Sequence, residues 1–291
     1  MSRNTPDKRH FLASQSSQTS LFSTPSQTPM PTTPFLEGLD HLVLDCDGVV
    51  YVDDQPIEGA ADLIACARSR DMGILFITND MTSSSERIAT RIRAVGAVAE
   101  AEEVLHAGKA AALYHSAQGH GNVLVAGTKD LCTELLSHGV QAWNTHEWQK
   151  TTAVDALLVG GYDGLAFTHL DILLQAWQPN MPIVTCNLDR TFPSTSGPRL
   201  GCGSVAASLA YATGSTLINA GKPSTIIFRE AEDLLGPGEV GIVGDTLMSD
   251  IAGANLMGWK SAWFRKNGTP HDGSADPDIA TDNLRSLFAG L

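Results

Sequence analysis

The run His41-Leu42-Val43-Leu44-Asp45-Cys46-Asp47-Gly48 (HLVLDCDG) decides how this chain is read. Leu42, Val43 and Leu44 leave no polar face, so the segment predicts a strand buried on both sides, as in parallel sheets. The run stops on two carboxylates spaced i, i+2, which an extended chain points the same way. Asp45 and Asp47 would face one spot with Cys46 turned away, and like charges so close call for a cation between them. Magnesium suits oxygen ligands of this kind, and Gly48 lets the backbone turn just past the pair. In the plainer alternative the two Asp residues only end a strand and open a turn. A lone DxDG also occurs in calcium loops.

Runs of the same texture recur as GILFIT (73–78), NVLVAG (122–127), VDALLVGG (154–161), PIVTCN (182–187), TLINAG (216–221), VGIVGD (240–245) and KSAWF (260–264). The stretches 59–70, 83–95, 130–138 and 223–235 carry helical spacing between them. This alternation predicts an α/β fold, a mainly parallel sheet covered by helices on both faces. No repeat of 20–50 residues interrupts it. Open parallel sheets bind ligands at the carboxyl ends of their strands. Here those ends carry Thr78-Asn79-Asp80, Gly221-Lys222-Pro223, and Asp245 followed by Asp250. If the strands lie side by side, one rim collects carboxylates, a hydroxyl and an ammonium, a set that can hold a divalent cation and a phosphate together. Singly, each has a bland reading. Thr78 and Asn79 can cap a helix, Lys222 can be a surface lysine, and Asp245 and Asp250 can be loop or cap residues.

Composition narrows the function class. The chain has 291 residues, 43% apolar and 18% charged, enough for a large core. Lys plus Arg number 19 against 32 Asp plus Glu, a formal charge of -13, which argues against a nucleic-acid or anionic-membrane binder. Small anionic substrates stay open, because a metal or one buried lysine inverts the local field. The 5 cysteines form no CxxC pair and fit a reduced, cytoplasmic protein. No run of 18 apolar residues occurs, so no membrane span is expected. Residues 1–36 are mostly Ser, Thr, Pro and Gln, and predict a disordered tail. That stretch has no continuous apolar segment of a secretory signal, and only Arg3, Lys8 and Arg9 favour a transit peptide. HAGKAAALYH (106–115) reads as a helix face rather than a zinc site, and Trp259 and Trp263 as packing residues.

In order along the chain, DCDGVVY (45–51), FITND (76–80), TCNLDRTFP (185–193), GPRLGCGS (197–204), AGKPS (220–224) and VGDTLMSDIAGANLMG (243–258) resemble the motif pattern of the haloacid dehalogenase (HAD) superfamily of phosphohydrolases. The particulars are similar to its type IIA subfamily, with a large α/β (C2) cap inserted between the second and third motifs. That subfamily includes 4-nitrophenyl phosphatases, phosphoglycolate or glycerol-3-phosphate phosphatases and ribonucleotide monophosphatases. The resemblance covers about 39–291. It implies a Rossmann-like core over 37–103 and 207–291 with a cap over 104–206.

The resemblance also implies roles. Asp45 would be the nucleophile that forms an aspartyl-phosphate, and Asp47 the general acid/base. Thr78 would bind phosphate, and Lys222 would neutralise charge on the nucleophile and the transferring group. Mg2+ would be held by Asp45, by the backbone carbonyl of Asp47 and by Asp245, with Asp250 beside it. Substrate contacts are expected from Thr78, Asn79, Asp80, Lys222 and, in the cap, Asn187, Asp189 and Arg190. A cap turn held by Asx hydrogen bonds is the alternative for Asn187 and Asp189. Caps of this kind exclude water and carry leaving-group specificity. By analogy, a homodimer through the cap is expected.

Two residues depart from the pattern. Asp80 stands where many relatives have Asn, and would repel a second anionic group on the substrate. Phe192 stands where pyridoxal-phosphate phosphatases have His, which weakens that reading. The expected activity is magnesium-dependent hydrolysis of a small phosphorylated metabolite such as glycerol 3-phosphate or phosphoglycolate. The alternative within the fold is a nucleoside 5′-monophosphate phosphatase. A phosphomutase has no support beyond the shared motifs, and dehalogenation needs neither Asp47 nor Asp245. A non-catalytic phosphate-binding regulator would not need every catalytic position filled.

Overall fold

The computed structural model describes residues 34–161, 165–192, 197–265 and 268–291. Six strands form one parallel sheet in the order Ile279–Thr281, Lys260–Phe264, Val240–Gly244, His41–Asp45, Gly73–Thr78 and Val104–His106. The strand His41–Asp45 lies inside this sheet, which is why its apolar run is unbroken. Leu42 and Leu44 pack with Ile64 and Ile88 from the helices Ala60–Ser69 and Ser85–Ala94. Val43, on the opposite face, packs with Phe228 and Ala254 from Thr225–Leu235 and Ala252–Met257.

A second parallel sheet runs Leu217–Asn219, Ile183–Thr185, Ala156–Gly161, Asn122–Gly127, Gln141–Asn144. Val125, Leu158 and Val184 give it a core of its own, joined by Leu135 of Lys129–Ser137, Leu173 of Phe167–Ala176 and Val205 of Cys202–Thr213. Apolar packing thus covers both faces of the first sheet and surrounds the second.

Three boundaries differ from the sequence expectations. Val104–His106, expected at the start of the cap, closes the first sheet, with His106 opposite Thr78. Leu217–Asn219, expected in the core, pairs with Ile183–Thr185 in the second sheet, and Cys202–Thr213 packs there too. TLINAG therefore does not lie beside the HLVLD strand. Both sheets are parallel and apolar, so local texture does not reveal which one a strand joins. Packed residues also lie inside the expected tail. Phe35 (1% exposed) and Leu36 (0%) sit in the first core, and Lys260 Nζ donates to the Phe35 carbonyl at 2.7 Å. The rest of that tail, 1–33, lies outside the described residues. Among the described residues no helix is long and apolar enough to cross a membrane.

Candidate active site

Asp45 ends its strand at the first sheet's carboxyl rim, and buried Cys46 turns away into the core. Gly48 follows at φ +97, and a Cβ there would fall 2.1 Å from Asp245 Oδ2. Only glycine lets this turn lie against the Asp245 carboxylate. Asp245 follows the neighbouring strand Val240–Gly244. Its carbonyl accepts from Trp263 Nε1 at 2.9 Å and its Oδ1 from the Thr246 hydroxyl at 2.9 Å. On the other side Thr78 ends Gly73–Thr78, buried, its Oγ1 accepting from the Asp80 N–H at 3.1 Å.

Lys222 reaches this rim from the far end of the second sheet. Its Nζ donates to Asp45 Oδ1 and to Asp250 Oδ1, both at 2.6 Å, and the side chain is 3% exposed. Burial alone would lower the ammonium's pKa, but Asp250 and Asp45 outweigh it and hold the group above its ordinary value. Burial raises the Asp45 carboxyl well above the usual range, Asp250 and Asp245 add to that, and Lys222 opposes. Asp250 is fully buried, and its Oδ2 accepts from the Thr246 N–H at 3.0 Å.

Asp45, Asp245 and Asp250 each offer an oxygen, all within 4.8 Å of one another. Three carboxylates against one ammonium leave an excess of negative charge, and all-oxygen donors suit a hard divalent cation. The residues thus fit magnesium. The Asp47 carboxylate is not in the group; it is 58% exposed and its Oδ1 lies 3.8 Å from Arg91 Nη2. Asp250 belongs to the group, yet its two oxygens already serve Lys222 and the Thr246 N–H.

Facing this rim, the second layer closes one side of a cleft of about 1870 Å³. Its wall includes Asn187, Asp189, Arg190, Phe192 and Leu200. The turn 187–190 lies on the start of the helix Cys202–Thr213 because two glycines there permit it. A Cβ on Gly201 would meet the Asp189 carbonyl at 2.1 Å, and one on Gly203 the Leu188 backbone at 2.4 Å. Asn187 Oδ1 accepts from the Asp189 N–H at 3.1 Å, the Asx bond of the alternative reading. Burial raises the Asp189 carboxyl above its ordinary value, with Lys222 pulling the other way. Asp80 also lines the cleft. Burial would raise its carboxyl, but bonds from Thr82 and Ser83 hold it below the ordinary value. Its Oδ1 accepts from the Thr82 N–H (2.7 Å), the Thr82 hydroxyl (2.9 Å) and the Ser83 N–H (3.2 Å).

The sequence does not signal Arg91. It lies on the helix Ser85–Ala94, with its guanidinium 4.3 Å from the Tyr51 ring centroid and Nη2 donating to the Asp53 carbonyl at 3.0 Å. It thereby ties the loop after Asp47 to that helix. A basic residue on an amphipathic helix looks like any solvated charge, so spacing does not reveal the contact.

Comparison with known proteins identifies the family. A family model described as haloacid dehalogenase-like hydrolase matches residues 42–141, and a HAD-hydrolase-like model matches 219–287. The D-glycerol 3-phosphate phosphatase of Mycobacterium tuberculosis is 33% identical over 263 residues, 85% of this chain and 70% of that protein. An acid sugar phosphatase of Staphylococcus saprophyticus is 26% identical over 218 residues, 74% of this chain and 82% of its own. Among solved structures, a p-nitrophenyl phosphatase from Archaeoglobus fulgidus superposes with a TM-score of 0.76 at 25% identity, covering 86% of this chain and 98% of that one. A glycerol phosphate phosphatase from Mycobacterium tuberculosis in complex with magnesium superposes at 0.78 with 29% identity, covering 88% and 78%. The two-sheet architecture, the carboxylate-lysine rim and these matches agree: the chain belongs to the haloacid dehalogenase-like hydrolase family and is a phosphatase of that family.

Proposed function

We propose that the protein hydrolyses a small phosphomonoester such as glycerol 3-phosphate through a phosphoryl group carried on Asp45. The observation that carries this reading is the Lys222 ammonium 2.6 Å from Asp45 Oδ1, with Asp245 and Thr78 on the same rim. An Asp45 oxygen attacks phosphorus and the ester P–O bond breaks. Asp47, exposed on the cleft side, protonates the departing oxygen. In the second half Asp47 takes a proton from the attacking water, the P–O bond to Asp45 breaks, and inorganic phosphate leaves. Lys222 offsets charge on the nucleophile and the transferring group, and the Thr78 hydroxyl holds a phosphoryl oxygen. Magnesium, held by Asp45 and Asp245, supplies further neutralisation of the phosphoryl charge when bound.

The second layer, 122–219, acts as a cap over this rim. Asp189 and Arg190 on its wall meet the leaving group. The relatives named for glycerol 3-phosphate and acid sugars favour a compact polar ester. Phe192 and His146 are the aromatic rings among the described lining residues, a sparse provision for a nucleoside base. Five free thiols fit a cytoplasmic location. Phe167 (83% exposed) and Tyr211 (93%), on packed helices of the second layer, suit a homodimer through that layer, checked by sedimentation.

The test is turnover of 4-nitrophenyl phosphate with magnesium, with EDTA, and by Asp45→Asn, followed by a panel of phosphorylated three-carbon acids, polyols and nucleotides. Turnover is expected in the first condition alone. Equal rates in EDTA would overturn the metal assignment, and full activity of Asp45→Asn the nucleophile.

A further inference from the structure

We infer that Asn79 and Asn187 are positioning residues for Lys222, linked in a relay from the cleft wall to the lysine's own peptide groups; this rests on the role proposed above for Lys222. Asn79 Oδ1 accepts from the Lys222 backbone N–H at 2.8 Å, and Asn79 Nδ2 donates to the Lys222 carbonyl at 3.3 Å. One amide thus grips both backbone polar groups of the lysine. Asn187 Nδ2 donates to the Asn79 carbonyl at 3.1 Å, while its Oδ1 receives the Asp189 N–H. The polar atoms of both side chains are engaged by the protein, which leaves little for a substrate.

The surrounding loop is built to keep that grip tight. A Cβ on Gly221 would lie 2.2 Å from the Cys186 carbonyl and 2.6 Å from Asn79 Oδ1. Asn219 closes the same loop, its Oδ1 accepting from the Gly221 N–H at 3.2 Å and its Nδ2 donating to the Gly221 carbonyl at 2.9 Å. Asn187 is only 1% exposed, so its bond to Asn79 is shielded from water and costly to break. Lysine carries its charge on a flexible four-carbon stem. The ammonium is accurately placed only if the root of that stem is fixed. The root belongs to the second layer and the tip meets Asp45 in the first. The asparagine pair spans that gap.

The experiment measures kcat and KM with 4-nitrophenyl phosphate and magnesium for the wild type, Asn79→Ala, Asn187→Ala and the double variant. Each single change is expected to lower kcat about ten- to a hundredfold, the scale of a misplacement near 1 Å, with KM held within about twofold. The double variant should be no slower than Asn79→Ala, because both act through the Lys222 backbone. A raised KM at constant kcat would make the asparagines substrate contacts and overturn the relay; so would additive losses or unchanged rates. If Asn79→Ala loses its cooperative melt, Asn187→Ala and Asn187→Ser decide by the same kcat and KM split. An inactive wild type would instead overturn the proposed function, and the relay with it.

Discussion

Lys222 Nζ stands 2.6 Å from Asp45 Oδ1, although 177 residues separate the two in the chain. The same ammonium is 2.6 Å from Asp250 Oδ1. Without it, buried carboxylates face one another uncompensated. Lys222→Met is expected to lower kcat for 4-nitrophenyl phosphate by about 10²–10³-fold. Lys222→Arg should recover little, since a planar fork does not replace a point charge between two carboxylates. A Met variant that keeps a tenth of wild-type turnover would contradict this.

Gly48 predicts a metal phenotype although it is not itself a ligand. A Cβ at φ +97, falling on the Asp245 carboxylate, must push it aside. Gly48→Ala should raise the magnesium concentration needed for half-maximal activity about tenfold or more, and cost about 1–3 kcal/mol of stability. Magnesium titration beside a thermal melt separates the two effects. An unchanged titration curve would argue that Asp245 does not hold the cation.

Asp80 should govern the choice between substrates with one anionic group and substrates with two. Its carboxylate is held in the ionised form by Thr82 and Ser83 and lines the cleft. Asp80→Asn is expected to raise kcat/KM for phosphoglycolate several-fold, on the order of 1 kcal/mol, while glycerol 3-phosphate changes little. Equal changes for both esters would show that Asp80 only shapes its own turn.

His115 predicts how stability varies with pH. It is fully buried, its Nδ1 2.9 Å from His120 Nδ1, and burial with His120 lowers its pKa from 6.5 to about 3. Between those values the unfolded chain binds the proton and the folded chain does not, so stability rises with pH. Its contribution is fully present above about 6.5 and declines as the pH falls. The loss between pH 7 and pH 5 comes to about 2 kcal/mol. His115→Gln should flatten that difference in urea denaturation measured at both pH values; a wild-type slope in the variant would assign the dependence to other groups.

Much of the fold is legible locally because a strand buried on both faces has no polar positions. HLVLD, GILFIT, NVLVAG and KSAWF coincide with strands for that reason. Sheet membership is not local. Leu217–Asn219 and Val104–His106 joined the opposite sheets from those expected, through pairings that composition does not encode. Phe35 and Leu36 were hidden for a different reason, as two apolar residues at the end of a long polar stretch. In the site, Asp45, Thr78 and Asp245 were readable because each stands where a run of apolar residues stops. Asn79 was readable as a polar residue near a helix start and, through the resemblance, as a substrate contact, but its bond to the Lys222 backbone spans 143 positions. Arg91 required the folded contact to Tyr51 and Asp53 before it stood out from other surface arginines.

The pairing of Leu217–Asn219 with Ile183–Thr185 also decides where this chain can be recombined with its kin. A chimaera that exchanges the lid at a junction near 206 would split that ladder between two parents. A junction placed past 219 keeps the ladder whole but imports a foreign approach to Lys222. Transplanted specificity therefore arrives with a new seating for the lysine, and swaps meant to change which ester is accepted should change how fast any ester is cleaved.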